Sequence, residues 1–222
     1  MGRFQRTDVE NWYPEYIIAG DFGDKFNRST IRFIEAHSGL MDVPDKSVLR
    51  FAEIGIWKGG TSYQLARLLS DKGQLYLFDY EENVDFVASR LAEAGYRKVK
   101  KYGSRQRYLD SYNWSLGQLL DRYSYPIFDY VFLDGAHTWA IDALTFVLAD
   151  RLLKPGGYFD FDDHDWRLRG SSLDPDKVPE TSAMYTDEQI DARQVQLIVD
   201  RLVRPSGRYT EMVKNKIFRK DR

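Results

Sequence analysis

The sequence predicts an α/β fold with a doubly wound, mostly parallel sheet. From residue 48 onward, short apolar runs alternate with segments of helical periodicity, which is the pattern of a parallel sheet covered by helices on both faces. Several of the apolar runs end in an acidic residue, and one of them turns through glycines into a helix. Both features are typical of sheets that bind a ligand at the carboxyl ends of their strands.

Composition limits the kinds of function to consider. The 222 residues, 43% hydrophobic and 15% aromatic, are enough to bury the core of one domain. The net charge of -2, from 32 Lys and Arg against 34 Asp and Glu, provides no basic field for nucleic acid. Cysteine is absent, so a metal would need carboxylate, imidazole or water ligands. Residues 1–6 lack the apolar region of a signal peptide, and no run approaches the roughly 20 apolar residues of a membrane span. We therefore expect a soluble, cytoplasmic protein.

The individual elements follow from periodicity and from breaker residues. Buried strands are predicted at residues 48–54, 75–79, 99–102, 128–134 and 158–163. Helices are predicted at residues 62–69, 84–94, 116–123 and 140–153, the last ending at Pro155-Gly156-Gly157. Residues 164–185 are too long for an ordinary connection and suggest a lid or substrate loop, after which helical spacing resumes over residues 188–202.

The two ends of the chain complete the predicted fold. Residues 209–220 contain two short alternating runs around Lys214-Asn215-Lys216, which predicts an antiparallel hairpin at the sheet edge. The sheet would then have seven strands, with the last one antiparallel. Residues 1–47 mix aromatic and charged side chains with a helix-like stretch at 29–37, and are expected to form a cap at the carboxyl edge of the sheet. The predicted division is a cap segment, 1–47, and a ligand-binding domain, 48–222. The aromatic residues Trp12, Tyr13 and Tyr16 could close over a substrate or pack on the sheet, and packing is favoured.

The glycine turn after the first strand indicates the ligand class. Its pattern, Gly55-x-x-x-Gly59-Gly60, is one residue off the G-x-G-x-x-G that places a pyrophosphate on a helix N-terminus. A nucleotide without a pyrophosphate is therefore favoured. Glu53, just before the turn, can meet a cationic ligand group but would repel the phosphates of a dinucleotide. By themselves, the glycines are also compatible with simple tight packing of strand on helix.

Acidic residues at the other strand ends suggest further contacts. Asp79 follows the glycine turn by about 20 residues, where a carboxylate can accept both hydroxyls of a ribose. Asp134 and the pair Asp162-Asp163 end two strands expected to be neighbours, about 4.8 Å apart. Three oxygen ligands at one place suit Mg²⁺, Ca²⁺ or Mn²⁺. The alternative is that these acids only cap strand ends.

Two of the three histidines follow these acids. Imidazole at His137 or His164 could remove a proton from a hydroxyl near neutral pH, and His137 is preferred. Trp166, Arg167 and Arg169 open the long loop and could stack on or clamp a sugar, although such side chains are usually only solvated.

Taken together, these motifs resemble class I S-adenosylmethionine (SAM)-dependent methyltransferases, which have a Rossmann-like fold. The resemblance covers residues 48–163 and is closest to small-molecule and sugar O-methyltransferases with an Asp-Gly-x-His motif, of the metal-dependent macrocin and novobiocin type. The matching residues are Glu53-x-Gly55-x-x-x-Gly59-Gly60, Asp79, Gly103-Ser104, Asp134-Gly135-x-His137 and Leu153-Lys154-Pro155-Gly156-Gly157.

The resemblance implies roles for individual residues. Gly55 and Gly59 would line the methionine part of the cofactor, Asp79 the ribose, Ser104 with its neighbours the adenine, and Glu53 the amino-acid end. The full implied cofactor set is Glu53, Gly55, Gly59, Gly60, Thr61, Asp79, Tyr80, Gly103, Ser104 and Asp134. The implied metal ligands are Asp134, Asp162 and Asp163, and the catalytic residues are His137 and Asp134. His137 stands near the place where those enzymes carry an acidic base, so the identity of the base stays open.

The expected function is SAM-dependent methylation of a small-molecule or sugar hydroxyl, assisted by Mg²⁺ or another hard divalent cation. One alternative is a metal-independent enzyme with His137 as base, and another is a non-catalytic interaction protein that keeps the fold but binds no cofactor. A nucleotide-dependent oxidoreductase is disfavoured by the glycine spacing and by Glu53. The sequence does not name the methyl acceptor, and it leaves open whether the chain forms a homo-oligomer.

Overall fold

A computed structural model describes residues 25–37, 40, 48–105 and 110–222. The expectations for Trp12, Tyr13 and Tyr16 lie outside these residues. The strands are β1 (Leu49–Ile54), β2 (Gly73–Tyr80), β3 (Val99–Ser104), β4 (Phe128–Leu133), β5 (Leu153–Phe161), β6 (Tyr209–Val213) and β7 (Ile217–Lys220). The helices are α1 (Arg28–Ala36), α2 (Gly60–Leu69), α3 (Glu81–Glu93), α4 (Tyr112–Arg122), α5 (Trp139–Leu152), α6 (Glu180–Met184), α7 (Asp187–Asp191) and α8 (Gln194–Ile198).

The described strands form one seven-stranded sheet in the order β3-β2-β1-β4-β5-β7-β6. Strands β1 to β5 are parallel, and β7 runs antiparallel to both of its neighbours. The predicted seven-stranded sheet with an antiparallel last strand is confirmed. The predicted hairpin is also present, with Asn215 at a positive φ of 60° in its turn. Strand order reverses between β1 and β4, so a crevice at the carboxyl ends of these two strands is expected.

Two hydrophobic clusters cover the two faces of the sheet. Because successive side chains of a strand point to opposite faces, Phe51 packs with helices α1 to α3, whereas Ala52 packs with α4, α5 and α8. Both side chains are fully buried. The sheet is therefore doubly wound, and in sheets of this kind ligands bind at the carboxyl ends of the strands.

Three local predictions differ from the structure. Helix α5 ends at Leu152, and the Pro-Gly-Gly segment belongs to the start of β5, where the pairing with β4 is irregular. The helix predicted at 188–202 is divided into α7, α8 and a π-helical turn, Val199–Val203. The long loop after β5 contains α6.

Helix α1 lies over a face of the sheet. The Phe33 ring packs edge-on against Tyr158 of β5 at 5.2 Å, and the Thr30 hydroxyl donates to Asp160 Oδ2 at 2.6 Å. The backbone N–H of Asn27, just before the helix, donates to Thr61 Oγ1 at the beginning of α2. The segment leading into α1 therefore reaches the carboxyl end of β1. Among the described helices, none is long and apolar enough to cross a membrane.

Candidate functional site

The glycine turn after β1 packs directly against the loop after β4. Gly55 has a φ of 83°, and a Cβ added to it would lie 1.9 Å from the carbonyl oxygen of Asp134. Gly59 is the N-cap of α2, also at positive φ, and no side chain caps the first turn of this helix. Gly60, Thr61 and Ser62 of that turn are buried. The first turn of α2, which follows the glycine turn, thus has backbone N–H groups that no side chain of the N-cap residue satisfies.

Glu53 is a buried carboxylate at this turn. Its side chain is 1% exposed, and its Oε2 has no hydrogen-bond partner among the described residues. Burial raises the pKa of Glu53 well above its ordinary value of 4.5, and the charges of Asp134 and Asp79 raise it further. An acid of this kind is stabilised by a cation.

The carboxylate of Asp79 in β2 already accepts hydrogen bonds from other groups of the protein. Its Oδ2 accepts the N–H groups of Ile56 and Trp57 at 2.7 and 3.3 Å. Its Oδ1 accepts Tyr80 N–H at 2.6 Å and the Asn83 amide at 2.9 Å. These donors fill about four acceptor positions, which is the usual capacity of a carboxylate. The carboxylate thereby fixes the glycine turn, and a ribose hydroxyl would have to share or replace a donor, of which Trp57 is the most distant.

The remaining residues predicted to hold the cofactor lie at the ends of β2 and β3. Gly103 is paired with Asp79 and Ser104 with Tyr80 across the two strands. The Ser104 hydroxyl donates to the Asp79 carbonyl at 3.3 Å. Burial raises the pKa of the Tyr80 phenol. The residues predicted to hold the cofactor therefore lie side by side along the carboxyl ends of β1, β2 and β3.

Beyond the carboxyl end of β4, His137 lies between two carboxylates. Its Nε2 is 3.5 Å from Asp134 Oδ1 and 3.1 Å from Asp163 Oδ2. The ligand atoms of these three residues all lie within 4.8 Å of one another. We call Asp134, His137 and Asp163 the acid–histidine cluster. The Trp166 ring packs edge-on against the His137 ring at 5.2 Å.

The Asp162 side chain does not join the acid–histidine cluster but contacts a lysine. Its Oδ1 is 3.2 Å from Lys216 Nζ, which also pairs with the buried Asp160 at 2.9 Å. Of the three acids that the sequence predicted as metal ligands, Asp134 and Asp163 therefore meet at one point and Asp162 meets a lysine. His164 is not part of the cluster; it is 3.5 Å from Asp165.

The electrostatics of the acid–histidine cluster follow from burial and like charge. Burial, together with Asp162 and Asp163, raises the pKa of Asp134 well above its ordinary value of 3.8. Burial and Asp162 raise the pKa of Asp163 as well. Burial lowers the pKa of His137 below 6.5, although Asp142 and Asp162 oppose this shift. The imidazole is therefore mostly neutral at pH 7 and can accept a proton.

Sequence reasoning missed three residues around this site. Asp142 and Tyr112 hydrogen-bond the loop that carries His137, and Lys216 neutralises the acids after β5. Their partners lie between 5 and 56 positions away in the sequence, and only the spacing of Asp142 from Ala136 and His137 is short enough to have suggested a contact.

Known structures with a similar fold were found at low sequence identity. MycE, from the mycinamycin biosynthetic pathway, was crystallised with Mg, SAH and mycinamycin VI; it is 17% identical, with a TM-score of 0.57, over 97% of this chain and 55% of MycE. A Corynebacterium glutamicum protein is 14% identical, with a TM-score of 0.56, over 98% of this chain and 89% of its own. The O-methyltransferase TomG from Streptomyces achromogenes is 24% identical, with a TM-score of 0.47, over 90% and 85% of the two chains. No curated protein matches the sequence.

The match to a sequence family decides the assignment. A family model described as a methyltransferase domain matches residues 52–164, from β1 to just beyond β5. The matched range contains the glycine turn, Asp79 and the whole acid–histidine cluster. It spans half of the 222 residues, and the chain therefore belongs to this methyltransferase family.

Proposed function

We propose that the protein transfers the methyl group of SAM to a hydroxyl oxygen of a small molecule or sugar. The observation that carries the proposal is the close approach of Gly55 to the Asp134 carbonyl, because it joins the turn predicted to hold the cofactor to the acid–histidine cluster. A methyl donor seated on the turn would be adjacent to a group able to accept a proton. The Mg, SAH and mycinamycin VI bound by MycE support a small-molecule acceptor.

The proposed cofactor contacts suit the charges of SAM. The buried, unpartnered Glu53 oxygen complements the cationic end of the molecule, and the uncapped N-terminus of α2 complements its carboxylate. When bound, SAM supplies an electrophilic methyl group. The residues proposed to hold it are Glu53, Gly55, Gly59, Gly60, Thr61, Asp79, Tyr80, Gly103, Ser104 and Asp134. The proposed domain that contains them is 48–222, with 1–47 as cap.

His137 is proposed as the base. The proton of the acceptor hydroxyl would move to Nε2, and the carboxylates of Asp163 and Asp134, at 3.1 and 3.5 Å, would stabilise the resulting imidazolium. Trp166 and the buried surroundings of His137 exclude water from one side of the ring. These residues align an oxygen and take its proton, which is most of what the protein must contribute when a cofactor carries the reactive group.

A divalent metal is proposed at the same cluster. Asp134 and Asp163 offer hard oxygen donors, and their raised pKa values reflect burial and the charges of neighbouring aspartates, which a cation would relieve. Asp162 could become a ligand only by leaving Lys216. A bound Mg²⁺ would lower the pKa of an acceptor hydroxyl. A metal and a protonated His137 would compete for the same two carboxylates, so the role of His137 as base belongs to the metal-independent alternative.

Calorimetry tests the proposal directly. SAM and its demethylated product should bind the purified protein, whereas NAD should not, each with and without Mg²⁺. Absence of SAM binding would refute the proposed function.

Asp163→Ala should lower Mg²⁺ affinity at least tenfold and leave SAM affinity within about twofold. Asp165→Ala is the matched control, because Asp165 lies in the same loop with its side chain 77% exposed. Once an acceptor is found by labelled-methyl transfer, loss of activity on chelation distinguishes the metal-assisted reaction from the metal-independent one.

A further inference from the structure

The loop that carries His137 has a backbone conformation that needs support. His137 has a φ of 56°, in the left-handed region that a residue with a side chain rarely adopts. Its position in this region turns the imidazole back toward Asp134, three residues earlier.

One carboxylate, Asp142 in the first turn of α5, binds this loop. Its Oδ2 accepts the N–H of His137 at 2.7 Å, and its Oδ1 accepts the N–H of Ala136 at 3.3 Å. The Asp142 side chain is 1% exposed. Two successive backbone N–H groups are thus aimed at one buried anion, which fixes the peptide planes on both sides of Ala136.

Tyr112, the first residue of α4, completes the arrangement. Its hydroxyl donates to Asp142 Oδ1 at 2.5 Å and accepts the N–H of Ala136 at 3.0 Å. A Cβ at Gly135 would lie 2.3 Å from the Tyr112 hydroxyl and 3.0 Å from Asp142 Oδ1. Only glycine leaves room at that position, so the loop, the helix and the tyrosine fit together as a unit.

We propose that Asp142 is a positioning residue of the site, which with Tyr112 holds the backbone of Ala136 and His137 so that the imidazole lies between Asp134 and Asp163. The inference rests on the proposed function for its consequence in catalysis, but its geometric content does not depend on methyl transfer. Asp142 does not itself enter the acid–histidine cluster and acts through His137.

A second tyrosine–aspartate pair on α5 provides a matched control. Tyr209 OH donates to Asp150 Oδ1 at 2.5 Å, the same distance as in the Tyr112 pair, and Asp150 is also buried. The other partners of Asp150 are Arg208 and Lys220 at the sheet edge, away from the cluster. Replacing Asp150 or Tyr209 therefore imposes a similar structural loss without touching the His137 loop.

The experiment observes His137 directly. The chain has three histidines, so NMR of protein labelled in the histidine ring gives few signals, which single substitutions of the other two assign. In Asp142→Asn the amide offers one acceptor oxygen instead of two, and the His137 ring signals should shift or split. SAM affinity should stay within about twofold of the parent. Asp150→Asn should leave the His137 signals unchanged.

The outcomes separate this inference from the proposed function. If Asp142→Asn leaves the His137 signals like those of Asp150→Asn, the positioning role is wrong even where SAM binds. If the unsubstituted protein does not bind SAM but Asp142→Asn displaces the His137 signals, the proposed function fails and the positioning role stands.

Should Asp142→Asn not fold, Tyr112→Phe decides, with Tyr209→Phe as its control. A displaced His137 signal in Tyr112→Phe supports the positioning role, and an unchanged signal overturns it. With an identified acceptor, the variant should lose at least tenfold in kcat, with the KM for SAM within about twofold.

Discussion

Gly55 is required both by its backbone angle and by its neighbour. Its φ is 83°, and a Cβ there would overlap the Asp134 carbonyl. Gly95 has a similar φ of 95° with nothing within 4 Å of the added Cβ, so it isolates the cost of the angle alone. We expect Gly95→Ala to destabilise the protein by about 1–2 kcal/mol, the usual cost of a left-handed residue with a side chain.

Gly55→Ala should be more destabilising by at least a further ~2 kcal/mol, because the β1 and β4 loops must separate. Urea unfolding of both variants measures the difference. Equal losses at the two glycines would show that the two loops are not in close contact. SAM binding should be lost only in the Gly55 variant, since only there does the predicted cofactor turn move.

Glu53 should make stability depend on pH. Its folded-state pKa is above the ordinary value of 4.5 because of burial, so the native protein holds a proton that the unfolded chain releases. The contribution of Glu53 to stability is then fully present below pH 4.5 and is lost as pH rises through the raised value. Glu53→Gln should therefore stabilise the ligand-free protein at pH 8, by at least about 1 kcal/mol, and have little effect near pH 4.

The measurement is the free energy of unfolding of parent and variant at several pH values. Glu35→Gln, at an exposed position on α1, is the matched control for loss of a carboxylate. A constant difference between parent and Glu53→Gln across the range would contradict a raised pKa.

At the level of elements, the hairpin of β6 and β7 is attached to the sheet by an internal ion pair. Lys216, in the turn, contacts Asp160 and Asp162, and its Nζ lies 5.3 Å from the centre of the Phe132 ring. Burial lowers the pKa of Lys216, but the two aspartates raise it by more. Asp160 is fully buried and also accepts the Tyr130 hydroxyl at 2.7 Å.

Removal of the lysine should leave a buried charge without a cation. We expect Lys216→Met to destabilise the protein by about 3–5 kcal/mol, and Asp160→Asn added to it to restore part of the loss. Lys214→Met, exposed in the same turn, should change stability by about 0.5 kcal/mol or less. The double-mutant cycle for Lys216 and Asp160 gives the coupling, and an absence of coupling would rule out the ion pair as the anchor of the hairpin.

The elements also show what periodicity can and cannot predict. Buried strands such as β1 and β4 were predicted because their apolar runs are short and continuous. The 188–202 segment was predicted as one helix because its apolar spacing persists through the break between α7 and α8. Gln194, the first residue after this break, uses its side chain for tertiary contacts. It accepts the Trp139 N–H and donates to the Gln189 carbonyl. Long-range contacts such as those of Gln194 with Trp139, Tyr112 with Asp142 and Lys216 with Asp160 are set by tertiary packing and leave no local pattern in the sequence.

At the scale of the whole molecule, the strand order gathers acids that are far apart in the sequence. Because β1 pairs with both β2 and β4, the carboxyl ends of these strands bring Glu53, Asp79 and Asp134 to one edge. The sequence was sufficient to predict this gathering, since parallel strands must end on the same side. It could not predict that Asp79 would be occupied by backbone donors or that Asp162 would turn toward Lys216, because both depend on loop conformations.

If SAM binds at this shared edge as proposed, its affinity should depend on pH. Burial raises the pKa values of Glu53, Asp79 and Asp134 above their ordinary values of 4.5 and 3.8, so part of this group holds protons when the site is empty. A cationic ligand favours the ionised carboxylates, and its binding must release protons.

SAM carries a sulfonium charge that its demethylated product lacks, whereas the two share every other ionisable group. The affinity for SAM relative to the product should therefore rise with pH across the range of these raised pKa values, by up to about tenfold per pH unit for each full proton released. Calorimetry in buffers of different ionisation enthalpy counts the protons, and Glu53→Gln should reduce the count for SAM. Equal proton release for SAM and product would mean that the sulfonium does not lie within reach of these acids, and would place the cofactor elsewhere than on the turn after β1.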